Sequence, residues 1–198
     1  MHRRLAYLGI AYVMVLVALL AFHPTKAAAP QHAPAPLPAG TPGEWFARIR
    51  PSCNSVEVDL AQGRDPAPAG LEGTGYAAAC FALAGKVDRA RELINRLDAA
   101  DRYHAVEVVF EVAHPVADAG DDKAAGPIME MVIEYWPNHY MALYHAGMSE
   151  YTLGQPDLAR KNLTAFLGIY KENDGWRQNA IVVLQRLGVN EPVERAAP

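Results

Sequence analysis

The sequence predicts an all-α protein, a short stack of antiparallel helix hairpins behind one N-terminal transmembrane helix. Three observations carry that expectation. Residues 5–22 form an apolar run without a charge. Gly85, Gly120 and Gly154 recur 35 and then 34 residues apart, each with an alanine five residues on. The flanks of that repeat carry helix-start and amphipathic patterns. The totals agree with one domain plus appendages: 198 residues, 51% apolar and 20% charged, which is globular composition. A net charge of −4 leaves no basic surplus for nucleic acid. Serine occurs only at Ser52, Ser55 and Ser149, so serine-nucleophile chemistry has few candidates.

The first element is residues 1–22. Leu5 to Phe22 is 18 residues long, roughly 27 Å as a helix, close to the hydrocarbon thickness of a bilayer. Arg3 and Arg4 precede it and only Lys26 closely follows. That bias places the N-terminus in the cytoplasm and the rest across a bacterial-type inner membrane, in the periplasm. A single-pass anchor and a cleaved signal both fit. The run is long for a signal core, and a cut after Ala27-Ala28-Ala29 would leave Pro30 next to it. Residues 23–40 hold prolines at 24, 30, 34, 36 and 38 and no aromatic residue. They read as an extended linker able to reach about 55 Å.

Residues 41–70 read as an N-terminal helical cap. Thr41-Pro42-Gly43-Glu44 supplies an N-cap, a proline at the first helical position and a capping-box glutamate. Trp45, Phe46 and Ile49 follow on one face, Pro51 kinks or restarts the helix, and a second piece is expected from Cys53 to about Ala61. Outside the cytoplasm, Cys53 and Cys80 could bridge, closing a loop worth about 3–4 kcal/mol in chain entropy. Two buried thiols fit equally, since Cys80 lies within Ala77-Ala78-Ala79-Cys80-Phe81.

Residues 71–173 are the repeat. In each unit the glycine ends a first helix, because it alone takes the left-handed cap conformation without cost. Asp88, Asp121 or Asp122, and Asp157 then cap or begin a second helix. Ala90, Ala125 and Ala159 mark close helix crossings, and Ile94, Met129 and Leu163 begin the apolar stripe that packs on the next hairpin. Residues 174–188 carry Trp176, Ala180, Ile181, Val183, Leu184 and Leu187, a helix suited to capping an open stack. Residues 189–198, with Pro192 and Pro198, read as a loose tail.

This pattern resembles the tetratricopeptide repeat. The third unit matches with Gly147 at the eighth position, Gly154, Ala159 and Leu163. The second places Pro137 on the family's closing proline, and the first has Ala78 at the eighth position with Phe81 at an aromatic one. The early tryptophan is replaced by Thr74, Val109 and Leu143, and the closing proline is missing from units one and three. The resemblance implies a right-handed superhelical solenoid whose first helices line a concave groove. Carried over by position, the groove residues are Glu107, Phe110, His114 and Asp118 in the second unit, then Met141, Tyr144, Met148 and Tyr151 in the third. Packing of some of these in the core is the competing reading.

The histidines raise a metal reading, since His114 and Asp118 share a helical face while His139 and His145 come one unit later. There is no HExxH, CxxC or CxxCH, so the sequence assigns no metal and no cofactor. The resemblance implies protein partners and no catalysis. The expectation is a scaffold anchored through residues 5–22, with its domain holding subunits of an integral membrane complex of respiratory or photosynthetic type. A transient assembly or quality-control factor is the second expectation, and an enzyme built on His114 and Asp118 is a remote third.

Overall fold

The computed structural model describes residues 40–189. The anchor and linker expected over 1–22 and 23–39 and the tail at 190–198 lie outside the described residues. No helix among the described residues is long and apolar enough to cross a membrane.

The described chain is all-helical: α1 (Pro42–Ile49), a 3₁₀ turn (Arg50–Ser52), α2 (Val58–Arg64), α3 (Leu71–Leu83), α4 (Val87–Asn95), α5 (Ala99–Asp118), α6 (Asp122–Tyr135), α7 (Tyr140–Thr152), α8 (Pro156–Ile169) and α9 (Gly175–Arg186). The capping box forms at α1: the Thr41 N–H donates to Glu44 Oε2 at 2.8 Å, and the Glu44 N–H donates to Thr41 Oγ1 at 3.3 Å. Trp45, buried, donates its indole N–H to the Asp65 carbonyl at 2.9 Å, which ties α1 to the end of α2. Phe46 stacks on Tyr76 with ring centroids 5.0 Å apart, and Cys53 and Cys80 form a disulfide. These contacts fasten the cap to α3. The open cysteine question thus resolves to a bridge.

One boundary differs from the sequence reading. The second cap helix begins at Val58 rather than Cys53. Asn54 is the cause: its side-chain carbonyl accepts the N–H groups of Val56 and Glu57, both at 3.1 Å, and this local turn competes with helix.

Hairpins α3–α4, α5–α6 and α7–α8 then follow, each turned by a glycine at φ +74°, +76° and +75° respectively. The three turns close identically. The N–H after the glycine bonds back to Phe81, Val116 or Glu150, at 2.9, 3.2 and 2.8 Å. The glycine N–H bonds to Ala82, Ala117 or Tyr151. This is the Schellman arrangement, and it fixes the same corner three times. Asp121 caps α6 by accepting the Ala124 N–H at 3.2 Å, whereas Asp88 and Asp157 stand in the first turns of α4 and α8. Helix α5 has 20 residues and runs through Pro115 without interruption.

Two clusters make the core. One gathers Trp45, Phe46, Ile49, Val58 and the alanines of α3 with Ala90, Ile94, Val106, Val109, Ile128 and Met129. The other gathers Leu143, Tyr144, Leu163, Phe166, Leu167, Ala180, Val183 and Leu184, so α9 completes the third hairpin. Across the second helices, Arg91 of α4 grips Glu134 of α6 with two bonds of 2.8 and 2.7 Å.

Candidate functional site

The surface with most chemistry lies where α5 meets the start and middle of α7. The turn Trp136-Pro137-Asn138 ends α6 and delivers His139, whose Nδ1 accepts the Ala142 N–H at 3.1 Å and caps α7. Burial holds the His139 imidazole below the usual histidine range, so the cap is neutral at neutral pH.

From His139 a connected run of rings crosses both helices. Trp136 meets His139 at 4.4 Å and Tyr103 at 4.3 Å; Phe110 meets His139 at 4.1 Å and His114 at 4.8 Å. His114 meets His145 at 4.9 Å, and His145 meets Tyr144 at 5.2 Å. Such edge and offset contacts are favourable beyond the apolar area they bury. On its rim, Glu107 lies 3.7 Å from the exposed His104.

The eight groove residues named from the repeat frame divide. Glu107, Phe110, His114, Met148 and Tyr151 are half-buried and Asp118 is exposed. Met141 and Tyr144 are buried and belong to the core rather than to an accessible groove. The reason is the setting of α7: packed by α6, α8 and α9, it has no solvent face from Met141 to Gly147. Over Tyr144 the cover is α9, whose Asn179 donates to the phenol oxygen at 3.4 Å and whose Trp176 ring lies 6.5 Å away.

His114, Asp118 and His145 converge. Asp118 Oδ1 is 3.6 Å from His114 Nε2 and 3.5 Å from His145 Nε2. Both Nε2 atoms are buried without a hydrogen-bond partner. Burial, with His114 beside it, pushes the His145 imidazole down to about 4, so it stands neutral. The sequence offered His114 and Asp118 as a pair; the arrival of His145 depends on the register between two hairpins.

On the opposite side, Glu150 is fully buried and accepts from Asn162 Nδ2 at 2.7 Å, while its Oε2 has no partner. Burial outweighs that bond and raises the carboxyl to about 7. Glu150 lines a cavity with Glu130, Glu134, Lys161 and Asn162, away from the ring surface.

Compared with known proteins, residues 141–173 match the sequence model of the tetratricopeptide repeat. A repeat of that family therefore occupies α7, α8 and the segment after them. The match covers one unit, the one whose Gly147, Gly154, Ala159 and Leu163 fit the pattern most fully. No curated protein and no solved structure matched the chain.

Proposed function

We propose that this protein, a carrier of the tetratricopeptide repeat, is a membrane-anchored scaffold that holds a segment of a partner protein against the α5–α7 face outside the cytoplasm. The carrying observation is the half-buried set Phe110, His114, Met148 and Tyr151, with Phe110 stacked on His114, together with the carboxylates of Glu107 and Asp118. Aromatic and methionine side chains at this degree of exposure suit an apolar peptide or helix, and the two carboxylates favour one that carries lysine or arginine. Three features support the setting: the family's role in protein–protein contact, the uncharged run of residues 5–22, and a Cys53–Cys80 disulfide, which persists in oxidising compartments. The partner in this reading is a subunit of an integral membrane complex of respiratory or photosynthetic type, and the scaffold stays with it.

The test is isolation of the full-length protein from its native membranes in mild detergent, with sizing and mass spectrometry. One large complex at fixed stoichiometry, resistant to salt and weakened on the order of thirtyfold by Phe110→Ala, is the expected result. A free anchored monomer with varied, salt-labile clients would replace this reading with that of a transient assembly factor.

A further inference from the structure

We propose that His114, Asp118 and His145 hold one divalent transition-metal ion of the zinc or copper class. The argument starts from two orphaned nitrogens. His145 is 6% exposed, and its Nε2 and that of His114 are buried with no hydrogen-bond partner. A buried polar atom left without a partner is costly and needs an explanation. Both nitrogens point at the same Asp118 oxygen, but from 3.5 and 3.6 Å, well beyond the ordinary N–H···O distance of about 2.9–3.0 Å. The three groups thus surround a point without bonding one another well.

That spacing is what a tetrahedral ion asks for. With metal–ligand bonds of about 2.0–2.1 Å, neighbouring donor atoms sit roughly 3.4 Å apart. The two distances to Asp118 already match, and all three donor atoms lie within 4.8 Å of one another. Closing the histidine pair from at most 4.8 Å to that spacing needs a movement of up to about 1.4 Å. The end of α5 can supply it, because Pro115 lacks an N–H and the helix's last turn is held by one bond fewer. Two imidazoles and one carboxylate suit zinc or copper(II) better than magnesium or calcium, which prefer oxygen. Asp118 is exposed, so an ion has a route from solvent, and a fourth position is left for water or for a donor from the bound partner. His139 is not a competitor, since its Nδ1 is committed to capping α7.

The test uses the purified full-length chain, titrated with Zn²⁺ by calorimetry and with Co²⁺ by visible absorption, which reports tetrahedral ligand fields. The expected result is a site that takes one equivalent and shows tetrahedral cobalt bands. Asp118→Asn should weaken it about tenfold or more with unchanged helical circular dichroism, and His145→Gln should abolish it. Asp118 is on the surface, so its variant will fold even if the buried His145 variant does not. Absence of the cobalt bands, or Zn²⁺ affinity unchanged in Asp118→Asn and His114→Gln, would overturn the assignment and trace any binding to other histidines of the chain.

Discussion

Around the first hairpin the core is largely alanine: Ala77, Ala78, Ala79 and Ala82 of α3 are buried together with Ala90 and Ala105. Around the third it is Leu143, Tyr144, Leu163, Phe166 and Leu167. Alanines let helices approach until backbones nearly touch; a Cβ on Gly75 would come within 3.0 Å of the Ala105 carbonyl oxygen. Yet each alanine removes little apolar area from water. The first hairpin accordingly gains its hold from outside, through the Trp45–Phe46 cap and the disulfide to Cys53. The third holds itself by large side chains and has no covalent tie. Similar hairpins in one chain are thus stabilised by different physics.

The contrast breaks most sharply at Phe166. Truncation of this fully buried ring, Phe166→Ala, should cost about 3–5 kcal/mol and lower amide-exchange protection across α7–α9 while sparing α3 and α4. Reduction of Cys53–Cys80, or Cys80→Ala, should cost about 3–4 kcal/mol with the opposite footprint: protection falls in α1–α4 and holds in α7–α9. Loss spread evenly along the chain in both cases would mean that the two clusters act as one.

Glu150 gives the third hairpin a pH dependence. Its carboxyl rises from 4.5 to about 7 in the folded state, so between those values the folded protein binds the extra proton and the unfolded chain does not. Stability from this group is therefore full below about pH 4.5 and is lost as pH rises through about 7, by up to about 3 kcal/mol. Glu150→Gln keeps the acceptor for Asn162 and removes the titration. Urea unfolding at pH 5 and pH 8 should show the variant gaining on the parent only at the higher pH. Smaller still is Gly147→Ala: the added methyl would meet Leu163 at 2.6–2.8 Å, and overpacking of this kind costs about 1–3 kcal/mol.

What could be read from the sequence was whatever is fixed by local stereochemistry. Gly85, Gly120 and Gly154 announced the hairpin corners because a left-handed cap leaves little choice of residue. Thr41 and Glu44 announced α1 because both halves of a capping box lie within four residues. Features set by contacts between hairpins stayed hidden. The continuation of α5 through Pro115 has no local signature strong enough to decide it. His145 lies on a different hairpin from His114, so their approach is a matter of helix register. Position in the repeat put Tyr144 in the groove, but α9 lies over it, a cover no single repeat encodes.

The central claim is that partners bind the α5–α7 face and not the far side carrying Lys161 and Glu134. Photo-cross-linking tests it directly, with a reactive residue placed in turn at Phe110, Tyr151 and Lys161 of the full-length protein in native membranes. The account predicts a discrete cross-linked partner from Phe110 and Tyr151 and none from Lys161. Cross-links from Lys161 alone would contradict it and move the binding surface to the other face.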